Sequence, residues 1–209
     1  FHYRKGGPWF PVELGAAEGL TTKVRAIDSF GMFVVGSLVI MGLYHLVLFW
    51  LRRKDRSPLY FGVFCLLGGL LLTSAGERHL RLLWDSVPFE VLTKFEFITM
   101  YGLVVFGTLF VGALFPQEIP RPFVRTVVRV GAATTALTVL LPVRWSSHLI
   151  NPYQYWCLVV CAYVLVQLIR AGLRSREGSG AVLGGCAVLT ATGTNDILYN
   201  MELYDSVYL

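Results

Sequence analysis

The sequence predicts an all-α membrane protein, a polytopic helical bundle with six transmembrane helices. Three observations lead there. Between Asp28 and Arg52 lie 23 residues without a formal charge, and about 20 apolar residues suffice to cross a hydrocarbon core of roughly 30 Å. The chain of 209 residues is 55% hydrophobic and 15% charged, with a mean hydropathy of +0.61, whereas roughly a quarter of the residues of a soluble domain are charged. Further apolar runs follow the first, separated by short stretches rich in cations, glycine and proline.

Residues 1–25, "FHYRKGGPWFPVELGAAEGLTTKVR", mix glycine, proline and charge without sustained helical periodicity. They read as the end of a preceding domain plus a linker, with "PWFPVELG" as a last strand. The bundle then occupies residues 26–209. Its first helix is expected at about 28–51 and its second at 58–76, opened by Pro58 in the first turn. A third, at 89–115, follows Pro88 and ends in "FPQEIPRP", where prolines forbid continuation. The fourth is the weakest: only 14 uncharged residues separate Arg129 from Arg144. It spans if 123–145 is counted and Arg125 and Arg129 snorkel toward headgroups. The fifth, 152–173, sits beside the aromatic cluster "NPYQYW", a pattern of membrane interfaces. The sixth, 180–201, carries Gly180 and Gly184 at a spacing suited to close helix contact.

Basic residues set the expected orientation. The connections after the first, third and fifth helices, with the helix ends, hold Arg52, Arg53, Lys54, Arg56, Arg121, Arg125, Arg129, Arg170, Arg174 and Arg176. Those after the second and fourth hold only Arg78, Arg81, Lys94 and Arg144. By the positive-inside rule the richer set faces the cytoplasm and the N-terminal stretch lies outside. "RRKDR" is then a short cytoplasmic loop against an anionic leaflet. With no methionine at Phe1 and an even number of spans, the sequence reads as a piece of a longer chain.

The net charge of +5 does not imply nucleic acid, because the cations gather between apolar segments instead of on one soluble face. Cys65, Cys157, Cys161 and Cys186 all fall inside apolar runs, which argues against a disulfide framework or a zinc knuckle. Cys157 and Cys161 share a helix face as small packing residues. No phosphate loop, metalloprotease motif or nucleophile with a matched base is present. Neither catalysis nor a cofactor is implied.

Ten of the thirteen acids fall outside or in the outer halves of the helices. Glu77 ends the second helix, Glu96 lies about two turns into the third, and Asn195 with Asp196 lies near the outer end of the sixth. A charge at that depth is costly enough to face a partner or a wet cavity. Glu77, Arg78, Glu96, Asn195, Asp196 and Tyr199 therefore form a candidate outward polar cluster, either binding a ligand or fixing helix rotation. Lys94 stands at helical spacing from Glu90 and is expected to pair with it. His45 is expected to be neutral and to bond a neighbouring helix.

In this order, "IMGLYHLVLFWLRRKDRSPLYFGVFCLL", "GERHL", "KFEFITMYG", "LPVRW", "NPYQYW" and "TNDILYNMEL" resemble the bacterial seven-transmembrane receptors with diverse intracellular signalling modules. The similarity covers nearly all of residues 12–209. It implies an extracytoplasmic β-sandwich before the membrane region, seven helices, and a cytoplasmic output module such as a histidine kinase or diguanylate cyclase. The seventh helix is missing here, and Leu71 stands where many relatives have arginine before the Gly-Glu pair. The implied function is a multi-pass sensor region of the bacterial inner membrane. It would relay the binding of an extracytoplasmic ligand, a small molecule or carbohydrate held mainly by the upstream domain. Its immediate partner is the lipid bilayer, and a homodimer is compatible with the pattern. The alternative is a small transporter or channel with an outward acidic site, which would need polar groups continuing inward.

Overall fold

A computed structural model describes residues 17–75, 88–176 and 178–200. The elements are α1 (Ala17–Leu51), α2 (Ser57–Ala75), α3 (Phe89–Leu114), α4 (Arg121–Leu140), the single turn α5 (Val143–Ser146), α6 (Ile150–Leu173) and α7 (Ser179–Asn200). A 3-10 turn, Ser147–Leu149, joins α5 to α6. Among the described residues there is no strand, and six helices are long and apolar enough to cross a membrane. The fold is an all-α polytopic bundle. Consecutive helices pack on one another, α1 on α2, α2 on α3, α3 on α4 and α6 on α7, and α3 also reaches α6.

Local chemistry explains each boundary. Arg52, Arg53, Lys54 and Arg56 are all exposed between α1 and α2. Within that loop Asp55 Oδ1 accepts hydrogen bonds from Ser57 N–H at 2.9 Å and Ser57 Oγ–H at 2.8 Å. These contacts occupy a donor that the first turn of a helix leaves unpaired. Pro58 sits one residue later, where its missing N–H costs nothing.

Two boundaries differ from the sequence expectation. Helix α1 begins at Ala17, inside the stretch read as linker, because "AEGLTTKVRAID" is rich in good helix formers and a helix continues past the end of its apolar run. The strand expected in "PWFPVELG" lies outside the described residues. Helix α4 runs from Arg121 to Leu140 instead of 123–145. Pro142 ends it: the residue before a proline is driven out of the helical region, and Leu141 is extended at φ −90° and ψ 147°. Arg144 consequently belongs to α5, not to the fourth span.

Glycine is used for close approach at a different place from the one expected. A Cβ at Gly180 or Gly184 would meet nothing within 4 Å, and α7 instead packs through Val182, Leu183 and Cys186. The close crossing is between α1 and α2. A Cβ on Gly62 would stand 2.9 Å from the Gly42 carbonyl oxygen, and one on Gly42 would stand 3.0 Å from that of Gly62. Backbone cannot yield there as a side-chain tip can.

Gly62→Ala is therefore expected to lower stability by about 1–3 kcal/mol, the cost of overpacking a tight contact. Gly184→Ala should leave stability unchanged or raise it by up to about 1 kcal/mol through helix propensity. Thermal unfolding of the detergent-purified protein measures both, and equal effects would contradict the assignment of the crossing.

Candidate functional site

The expected outward cluster is partly described. Glu77 and Arg78 lie outside the described residues, and Tyr199 lies on α7 with its side chain outside them. Glu96 is half-buried on α3, and Asn195 and Asp196 are half-buried on α7. Asn195 Nδ2 stands 3.5 Å from Asp196 Oδ1. The structure therefore brings Asn195 and Asp196 together, while α3 and α7 are joined chiefly through α6.

Between them lies a buried polar layer that the sequence reading missed. Tyr101 on α3 and Thr138 on α4 are fully buried, with Thr138 Oγ1 3.5 Å from the Tyr101 hydroxyl. The Tyr153 hydroxyl on α6 donates to the Tyr101 carbonyl at 3.2 Å, and the two rings lie 4.4 Å apart between centroids. The "NPYQYW" cluster is thus not wholly interfacial. Tyr155 faces outward, Tyr153 is buried, and Trp156 packs against the core. The available signal was spacing: Phe97 and Tyr101, four apart, share one helix face, as do Ile150 and Tyr153, three apart, and all four form one cluster.

Gln154 adds an unusual feature to this layer. The residue is 4% exposed, yet its Oε1 has no hydrogen-bond partner among the described residues. Gln154, Cys157 and Cys161 recur at intervals of three and four and so share one face of α6. Cys161 lies against Thr190 and Cys186 of α7. Continuing outward along that antiparallel pair by equal steps of about 1.5 Å per residue places Gln154 level with Asn195 and Asp196.

At the start of α3, Lys94 Nζ pairs with Glu90 Oε1 at 3.2 Å, the partnership expected from spacing four. The same Oε1 accepts the Val143 N–H at 3.4 Å, and Lys94 Nζ lies 3.5 Å from the Val139 carbonyl. This pair bridges the break that Pro142 makes between α4 and α5. His45 departs from expectation. Its Nδ1 lies 2.9 Å from the Met41 carbonyl of its own helix, and its ring meets Phe61 of α2 edge-on with centroids 4.6 Å apart. A helix i−4 carbonyl is the nearest acceptor when the facing side chain is aromatic.

The opposite end of the bundle holds an ionic clamp. The Glu118 side chain, in the connection after α3, is 3% exposed, and its Oε1 lies 3.2 Å from Arg176 Nε and 3.7 Å from Arg174 Nη1. Arg176 also bonds the side-chain oxygen of Gln117. Both arginines come from the turn between α6 and α7, shaped by positive φ at Ser175 (52°) and Gly178 (74°). A buried carboxylate costs several kcal/mol unless paired and hydrogen-bonded. The arginines are 63% and 42% exposed, so solvent screening reduces what the clamp contributes. It ties two separate connections together.

A family model for 7TM diverse intracellular signalling (7TMR-DISM) matches residues 28–209. The chain belongs to this family. No curated protein and no solved structure matches it. The family name counts seven spans, and the described residues of this 7TMR-DISM membrane region supply six. Among its described residues no group of three or more His, Cys, Asp or Glu side chains is arranged to hold a metal. The thiols of Cys157 and Cys161 lie 4.0 Å apart, at hydrogen-bond distance, and are not joined in a disulfide.

The two ends make opposite predictions for stability. Glu118→Gln should cost about 1–3 kcal/mol, because two guanidinium groups lose their counter-charge. Gln154→Leu should be neutral or stabilising by up to about 1 kcal/mol, because it removes an acceptor that burial leaves unpaired. Unfolding midpoints in one detergent decide both. A destabilised Gln154→Leu would mean that its carboxamide already has a partner in the bundle.

Proposed function

We propose that this chain is the membrane-spanning sensor region of a bacterial signal-transduction receptor. It relays an extracytoplasmic ligand signal to a cytoplasmic output domain, and it carries out no catalysis itself. The observation that carries this reading is the family match over residues 28–209. The bundle adds support, because its two ends are chemically different. One has half-buried acids and a buried carboxamide oxygen without a partner among the described residues, a composition suited to a polar ligand or to contact with an external domain. The other has a clamp between two connections, a device that a small helix movement would open or close.

In this reading "RRKDR" and the Glu118 clamp face the cytoplasm, following the bias of basic residues. Glu77, Arg78, Glu96, Asn195, Asp196 and Tyr199 surround the outward site. The chain is a multi-pass protein of the inner membrane, and the upstream domain provides most of the ligand contact. A transporter or channel is less well supported. The inner part of the α3, α4 and α6 contact is filled by Val111, Phe115, Ile119, Val127, Val164 and Leu168, all buried, where a conduction path needs polar lining.

In the full-length receptor, Glu96→Gln and Asp196→Asn are each expected to change output several-fold without unfolding the bundle. Together they should depart from additivity by about 0.5–3 kcal/mol, as residues of one network do. Output per folded molecule, measured with and without external stimulus, tests this. Additive effects, or lost stability with unchanged output, would reduce the cluster to structural positions.

A further inference from the structure

We propose that the exposed stripe of α4 holds an anionic phospholipid, with the headgroup phosphate on Arg121, Arg125 and Arg129 and an acyl chain along Ala132 and Ala136. The three arginines recur at intervals of four and are all exposed, so they form one continuous row on the helix surface. The row is turned away from the bundle. The buried face of α4 is Val127, Gly131 and Thr138, with Gly131 against the Val105 side chain of α3.

A counter-charge is what this row lacks. Glu90 is held by Lys94, and Glu118 by Arg174 and Arg176. Among the described residues no carboxylate lies within ion-pair distance of Arg121, Arg125 or Arg129. Arg129 stands about 12 Å along the axis from Arg121, well inside a span of 20 residues. A guanidinium at that depth needs a counter-charge or must reach back to the headgroups. A phosphate satisfies it, because the planar guanidinium fork matches phosphate oxygens in pairs.

The rest of the row selects a lipid over a soluble anion or an acidic peptide. Beyond Arg129 the row continues through exposed Ala132 and Ala136, and the other exposed positions are Ala133, Leu137, Val139 and Leu140, the last at 79% exposure. The small side chains of Ala132 and Ala136 leave a shallow channel along the row, flanked at its far end by the exposed Val139 and Leu140. The occupant must therefore be anionic at one end and hydrocarbon along its length. Which leaflet provides it follows from the orientation proposed above, and the lipid class does not depend on that orientation.

The test is native mass spectrometry of the full-length protein, purified in neutral detergent and offered equimolar phosphatidylglycerol and phosphatidylcholine. The wild type should retain phosphatidylglycerol at least about ten-fold over phosphatidylcholine, as three arginines near a headgroup imply. R125Q combined with R129Q should bring the two lipids near parity. R125K with R129K should keep most of the preference, and R144Q should keep all of it. If the glutamine pair does not fold, A132L with A136L, which fills the channel and leaves the charge, should lower retention of both lipids. Equal retention by the wild type, or full preference in R125Q with R129Q, would overturn the proposal. So would efficient disulfide cross-linking between copies bearing A132C, which would show a second copy on the stripe. Reversed sidedness in thiol labelling would move the lipid to the other leaflet and leave the preference intact.

Discussion

Hydrocarbon offers a backbone amide no partner outside its own helix, and the rest of this structure follows from that constraint. Every span is a helix, and helix breaks are confined to connections. Pro142 interrupts the chain where Glu90 can accept the Val143 N–H and Lys94 approaches the Val139 carbonyl. The turn with positive φ at Ser175 and Gly178 follows α6. Inside the membrane the hydroxyls of Ser37, Thr73, Thr99 and Thr108 return to carbonyls of their own helices. Apart from the arginines on the exposed face of α4, charge is thereby sorted toward the ends, and the proposed function is assigned to those ends.

Helix α3 connects them. It packs on α2, α4 and α6, carries Glu96 and the fully buried Tyr101 in one half, and leads into Glu118 at the other end. Its described polar contacts with neighbours fall toward its two ends: Val139 and Val143 through Lys94 and Glu90, with Thr138 and Tyr153, toward one, and Arg174 and Arg176, through Glu118 in the following connection, at the other. Between these the contact is hydrocarbon, which is close-packed and transmits displacement but sets no unique register by itself. The polar contacts fix the register. A shift of α3 that disturbed the tyrosine pair would also bear on the clamp, and in the proposed function this is the route from an external event to the inner loops.

How much of this was legible in the sequence depended on the range of the interaction. The six spans, the α2 start at Ser57–Pro58 and the Glu90–Lys94 pair were readable, because run length, proline chemistry and spacing four are local signals. The fourth span was placed too far along, since counting charges overlooked the constraint that Pro142 puts on Leu141. Gly180 and Gly184 looked like contact residues, whereas Gly42 and Gly62 are. Small-residue spacing shows that close approach is allowed, not which neighbour makes it. The Tyr101, Thr138 and Tyr153 layer and the Glu118 clamp join residues dozens of positions apart, and no single-helix pattern encodes such pairings. Gln154 was hidden for the same reason, since burial is set by neighbouring helices and not by the pattern of its own.

The sidedness of the two ends is the claim on which the account rests, and thiol accessibility tests it most directly. Cysteine is introduced singly at Asp55, in the exposed basic loop, and at Trp145, exposed beside the Pro142 break, and spheroplasts are treated with a membrane-impermeant maleimide before and after lysis. Native Cys65, Cys157, Cys161 and Cys186 all lie within spans, so background should be low. The account predicts labelling of Trp145→Cys in intact spheroplasts and of Asp55→Cys only after lysis. Labelling of Asp55→Cys in intact spheroplasts, with Trp145→Cys protected until lysis, would contradict it.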